Sequence, residues 1–173
     1  MADAPDTLTL KRNRDGAGRR EVHFRRAGIT LLTLVLAAAL FNVFGQRPDT
    51  TTAAAPAASL KVYAPSHLRG GLYYEARFHV RAARDLKDAI LVLDSGWAEG
   101  ITINTIEPSP VGEASRDGSL SFQLGHVPAG RSYLLFLQLQ VNPTNVGHRE
   151  QDVRLYDGDT LLLKVDRSIT IFP

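Results

Sequence analysis

LYYEARFHVRA, residues 72–82, decides the fold. Its apolar residues Tyr74, Ala76, Phe78 and Val80 alternate strictly with Glu75, Arg77, His79 and Arg81. A period of two puts the first set on one side of an extended chain and the second set on the other, so the segment predicts a half-buried β-strand. His79 falls on the solvated side, away from any core, and is read as a surface residue.

The same alternation recurs outward in both directions. SLSFQL (119–124) sets Leu120, Phe122 and Leu124 against serine and glutamine. SYLLFLQLQV (132–141) lines up Tyr133, Leu135, Leu137, Leu139 and Val141. Leu134 and Phe136 share the opposite face of that run with two glutamines, which predicts a central strand covered in part on both sides. LKVYA (60–64), ILVLD (90–94), ITINTI (101–106), DVRLY (152–156), TLLLKV (160–165) and SITIF (168–172) complete nine candidate strands. Turn residues separate them: Asp117-Gly118, Pro128-Ala129-Gly130, Asn142-Pro143 and, as the clearest hairpin signal, Asp157-Gly158. Seven to nine short strands within residues 60–173, with no amphipathic helix among them, predict an all-β domain: a two-sheet antiparallel sandwich. The expected core is Val62, Tyr74, Phe78, Val80, Leu91, Leu93, Ile101, Ile103, Leu120, Phe122, Leu135, Leu137, Leu139, Leu163, Val165 and Ile171.

LKDAILVLDSGWAEGITINTI (86–106) and DGSLSFQLGHVPAGRSYLLFLQLQV (117–141) carry a further signal. The first holds a leucine–aspartate pair followed by Gly96-Trp97, the second a Gly-x-Leu-x-Phe-x-Leu-Gly run. Across residues 72–141 the chain resembles the immunoglobulin-like "conserved repeat" modules of bacterial surface proteins, here in single copy. The resemblance implies an immunoglobulin-like sandwich and a surface location. It implies no activity, because a fold hosts many functions.

Ahead of the strands, Ala27 to Gln46 is a run of twenty residues without a charge. As a helix it would measure ~30 Å, the thickness of a bilayer's hydrocarbon core. Thr30 and Thr33 are expected to bond back to carbonyls of the preceding turn. Arg19, Arg20, Arg25 and Arg26 crowd its N-terminal side, whereas Arg47 is balanced by Asp49 on the other. By the positive-inside rule, residues 1–26 form a cytoplasmic disordered basic arm and 27–46 a transmembrane helix. Residues 47–59 read as an Ala/Thr/Pro linker, and 60–173 as the extracytoplasmic domain. The alternative is a cleaved signal peptide and a secreted product; Val43-Phe44-Gly45 and Ala55-Pro56-Ala57 are the small-residue sites to weigh.

Charge supports a membrane rather than a nucleic-acid reading. Residues 1–26 carry a net +3 and the remainder −1, so the basic balance belongs to the segment abutting the apolar run. Cysteine is absent, which removes disulfides, thiolate metal sites and cysteine nucleophiles together. Arginine outnumbers lysine sixteen to four, a bias common in GC-rich bacterial genomes.

Chemistry-bearing motifs are sparse. Ser66-His67 and Ser119 lie in no nucleophile elbow, and no P-loop or paired-histidine helix occurs. No catalytic residue, cofactor or metal is assigned. Asp157 and Asp159 offer a calcium ion two carboxylates, with further ligands required from elsewhere. Asn142-Pro143-Thr144 has proline where a glycosylation acceptor forbids it. The candidate partner-binding residues are Trp97, the lone tryptophan, read either as a core plug or as an exposed anchor, and Glu107, Pro108 and Arg116 in the irregular stretch IEPSPVGEASRDG (106–118). The expected role is a single-pass, plasma-membrane-anchored module without catalytic activity. Its partners would be the lipid bilayer and another membrane or envelope protein; binding of cell-wall glycan or calcium is the alternative.

Overall fold

A computed structural model of the chain describes residues 19–43, 45–116 and 118–173. It forms two compact units, dividing between Val43 and Phe44.

The first unit contains one helix, α1 (Arg19–Leu40). The window Glu21–Leu40 has a mean hydropathy of 1.3, and none of it is buried inside the protein. Leu31, Leu32, Leu34 and Leu36 are all more than 60% exposed. Thr33 Oγ1 donates to the Ile29 carbonyl at 2.8 Å, the expected back-bond. The helix both starts and stops earlier than the uncharged run suggested. Residues 19–26, expected to be part of a disordered arm, are helical; residues 1–18 lie outside the described residues. It stops at Leu40 because Asn42 takes a left-handed conformation (φ 55°). Asn42 N donates to Ala39 O and Val43 N to Ala38 O, which is the two-bond Schellman closure. Asparagine tolerates that backbone better than other residues with a Cβ.

The second unit is a β-sandwich. Its first sheet has the order β5 (Ile101–Glu107), β8 (Ser132–Val141), β3 (Tyr73–Ala82), β2 (Ala58–Arg69), β12 (Ser168–Phe172), β9 (Gly147–Glu150), with β1 (Arg47–Ala54) also on β2. The second sheet runs β11 (Thr160–Val165), β10 (Val153–Asp157), β4 (Leu86–Leu93), β7 (Ser119–Val127), β6 (Gly112–Arg116). Among the described residues every pairing is antiparallel except β2 with β12, so the sandwich is antiparallel-rich rather than purely antiparallel.

All nine expected strands are present, and β1, β6 and β9 are additional. β1 corrects the reading of residues 47–59 as a spacer: Arg47 to Ala54 pair with His67 to Ser59 of β2. Ala53 and Ala55 pack against the core, which ties this segment into the sandwich. The irregular stretch 106–118 likewise holds β6, paired with β7 from Gly112↔Gln123 to Arg116↔Ser119.

The alternation of β3 is realised residue by residue. Tyr74, Ala76, Phe78, Val80 and Ala82 are buried, and Arg77, His79 and Arg81 are exposed. Of the expected core, Ile103 and Leu120 are only half-buried, packed at its margin, and the others are buried. β8 is central, between β5 and β3, but its outer face is open: Leu134 is 51% exposed. The predicted Asp157-Gly158 hairpin joins β10 to β11, with Gly158 at φ 55°.

Candidate functional site

Trp97 closes a short 3-10 turn, Ser95–Trp97, that follows β4. It is fully buried, as the core-plug reading expects, and so is not the exposed partner anchor of the other reading. Its ring meets Phe78 with centroids 5.2 Å apart and planes tilted by 59°. Nε1 donates to the Gln151 carbonyl at 3.0 Å, giving the indole the partner that a buried N–H requires. The Gln151 amide in turn donates to Gly96 O. Arg167 lies over the ring, its Cζ 4.8 Å from the indole centroid, and Nη2 donates to the Ala64 and Pro65 carbonyls.

Tyr74 completes this polar pocket within the core. Burial pushes its phenol up to about 12, while the Gln151 side chain and the Arg167 cation pull weakly the other way. Burial also draws the Arg167 guanidinium down to about 10, still charged at neutral pH. Next to it, Asp152 accepts from Arg167 N and pairs with Lys164 Nζ at 2.6 Å. Hydrogen bonds to Asp152 and then Asp166 hold the Lys164 ammonium above its ordinary value. These contacts fasten the β11–β12 turn to β10 and β2. They stabilise the sandwich, and Asp152, Lys164 and Arg167 also line, with His148 and Asp166, a shallow depression of about 470 Å³.

Glu107, Pro108 and Arg116 are not brought together. Glu107 ends β5 opposite Phe136 in the first sheet, and both it and Pro108 are exposed. Arg116 ends β6 opposite Ser119 in the second sheet. Asp157 Oδ1 accepts from Asp88 N at 2.9 Å, which gives that carboxylate a task in the hairpin. Among the described residues, no group of three His, Cys, Asp or Glu side chains is placed to hold a metal ion. Ser66 Oγ contacts His67 Nδ1 at 3.1 Å, a local pairing of neighbours on β2.

A further depression lies on the outer face of the first sheet. Register sets Thr50 against Tyr63, Tyr63 against Arg77, Lys61 against His79 and His79 against Leu134. These six residues line this depression, of about 470 Å³. Arg77 lies with Cζ 5.5 Å from the Tyr63 centroid and pairs with Glu75 at 2.6 Å. Tyrosine and arginine beside an exposed leucine are side chains that interface centres favour. Sequence reasoning placed Arg77 and His79 on this face but missed the groove, because pairing between distant strands creates it. A third depression, about 540 Å³, lies on the outer face of the other sheet, where Ile90, Val92 and Tyr156 flank Ser119 and Ser121.

No family model matches the chain, and no curated protein matches it. Among solved structures, a von Willebrand factor type A protein from Catenulispora acidiphila is similar at 18% identity and a TM-score of 0.37. That likeness covers 52% of this chain, which spans 24% of the other. A non-cellulosomal cohesin from the hyperthermophilic archaeon Archaeoglobus fulgidus is similar at 10% identity and a TM-score of 0.38. It covers 61% of this chain and 84% of its own. At these scores neither likeness says what this chain does.

Proposed function

We propose that the chain is a single-pass, membrane-anchored copy of the surface immunoglobulin-like module it resembles. It would act as a non-catalytic protein-binding or assembly module outside the cytoplasm. The observation that carries this reading is the pairing of α1, apolar and unburied across Glu21–Leu40, with a sandwich whose β1 begins after only six intervening residues. Arginines on the N-terminal side orient the helix with that side in the cytoplasm. Six residues reach at most ~20 Å, so a membrane-embedded or envelope protein is the partner within range. The groove around Tyr63, Arg77 and Leu134 is the surface that partner would use.

Two measurements test this. A C-terminal reporter active only after export should be active, and reporter activity confined to the cytoplasm overturns the orientation. Crosslinking in intact cells should join the chain to one membrane protein, and Arg77→Glu with Leu134→Asp should abolish the product. A crosslink unaffected by both changes, or none at all, removes the binding role.

Secretion after cleavage is the second reading. Within α1 the uncharged helical stretch Ala27–Leu40 is fourteen residues, inside the ~7–15 range of a signal-peptide core. Cleavage at Ala55-Pro56-Ala57 would remove β1 from its partner β2, so Val43-Phe44-Gly45 is the compatible site. Mass spectrometry of the mature N-terminus separates the readings: a terminus near residue 46 replaces anchoring with secretion.

A further inference from the structure

We infer that one end of the sandwich, centred on the β2–β3 turn, docks on the lipid surface. This rests on the reading of α1 as a membrane span. The chain arriving from α1 enters the second unit at that end: Gln46 Nε2 donates to the Tyr73 carbonyl at 2.6 Å, and Arg47 pairs with His67. The turn Gly70-Gly71-Leu72 projects Leu72, 41% exposed, and leads into Tyr73, 57% exposed. A Cβ on Gly70 or Gly71 would meet Pro143, so the chain after β8 lies directly against this turn. Val146, 47% exposed, precedes β9, whose Gly147 pairs with Ile171, beside the Phe172 that lies opposite Arg69.

Two cations flank the tip. Arg47 and Arg69 are exposed, and among the described residues neither is in an ion pair. Guanidinium groups match phosphate oxygens, and tyrosine favours the bilayer interface, where its ring is dry and its hydroxyl wet. An apolar tip between arginines therefore has the chemistry of a peripheral lipid contact. The opposite end also carries exposed arginines, Arg84 and Arg131, but its turn has no large apolar side chain between them. There the β7–β8 turn presents Pro128, Ala129 and Gly130, and nine strand steps along β3 put it ~30 Å away. Docking through the near end would fix the tilt of the sandwich and hold the Tyr63–Arg77 groove at a constant angle to the membrane.

The full chain has no cysteine, which permits a clean test. Leu72→Cys and, as control, Ala129→Cys are each labelled with an environment-sensitive dye. The proteins are reconstituted into phosphatidylcholine–phosphatidylglycerol vesicles, with or without lipids carrying a headgroup spin label. Emission from the fully buried Trp97 reports that each variant is folded. The dye at position 72 should shift to the blue and be quenched by the labelled lipid, and the dye at 129 should do neither. Adding Arg47→Glu or Arg69→Glu to Leu72→Cys should lower the docked-to-undocked ratio roughly fivefold each. Equal quenching at the two positions overturns the inference, as does a shielded residue 72 that labelled lipid fails to quench. Alkaline carbonate extraction separates the two levels. Protein that stays in the vesicles with residue 72 in water sinks only the docking; protein that washes off sinks the anchor and the docking with it.

Discussion

The guanidinium of Arg167 stacks on the indole of Trp97, 4.8 Å from Cζ to ring centroid, and so joins the β11–β12 turn to the heart of the sandwich. The same group bonds the Ala64 and Pro65 carbonyls of β2. A desolvated cation–π contact is worth ~2 kcal/mol, and each hydrogen bond to a charged group ~1.5–3 kcal/mol. Arg167→Ala should therefore lower unfolding stability by about 3–5 kcal/mol, read from the denaturant midpoint by Trp97 fluorescence. Arg167→Lys should recover less than half, because an ammonium cannot stack flat and fork to two carbonyls together. A lysine variant as stable as the parent would show that charge alone matters here.

Tyr74 makes stability fall at alkaline pH. Its phenol is pushed up to about 12 by burial, against ~10 in an unfolded chain. The folded state thus holds a proton that the unfolded state releases. The stabilisation is complete below about pH 10 and is lost as pH rises through about 12. Relative to Tyr74→Phe, the parent should lose about 2–3 kcal/mol across that window. The difference in tyrosinate absorbance between the two proteins should titrate near 12. A difference titration at ~10 would place the hydroxyl in water.

Sequence periodicity exposed most of this architecture because the large strands bury one face, and a buried face leaves an alternating record. β3 is the clearest case: Phe78 and Val80 are in the core, and Arg77 and His79 are out. The three missed strands have no such record. β1 reads Arg-Pro-Asp-Thr-Thr-Thr-Ala-Ala, the composition of a spacer, and only its pairing with β2 and the half-burial of Ala53 make it a strand. β6 and β9 are short, with only four or five residues each. The helix end was misjudged because the left-handed turn at Asn42 lies inside the uncharged run. Two polar groupings, Gln151 with Arg167 and Asn145 with Arg149, leave no sequence record because each forms through contacts between separate elements. Trp97 drew notice as the lone tryptophan, yet sequence could not distinguish plug from anchor.

Asn145 bridges two loops with both ends of its amide. Nδ2 donates to the Glu99 and Gly100 carbonyls at 3.1 and 3.0 Å, and Oδ1 accepts two bonds from Arg149. Asn145→Asp keeps the acceptor and adds charge attraction to Arg149, but it turns the donor into an oxygen facing two carbonyl oxygens. It should cost about 2–4 kcal/mol, close to Asn145→Ala, since unmatched buried acceptors dominate. Chemical denaturation of the two variants gives the comparison. An aspartate variant near parental stability would mean that the Arg149 contact is the one that counts.

Gly96 and Gly130 separate close approach from backbone strain. A Cβ on Gly96 would collide with the Glu150 carbonyl oxygen, and both partners are backbone held by the Trp97–Gln151 and Gln151–Gly96 bonds. Gly130, at φ 77°, has nothing within 4 Å of its would-be Cβ. Alanine at 130 meets only the left-handed penalty of ~1–2 kcal/mol. Alanine at 96 forces the 3-10 turn away from β9 and should cost more than ~3 kcal/mol, with Trp97 emission shifting to the red as water enters beside the ring. Thermal unfolding followed by Trp97 emission ranks the two. If Gly130→Ala proved the more damaging, the close packing of the 3-10 turn on Glu150 would not be what fixes Trp97 in the core.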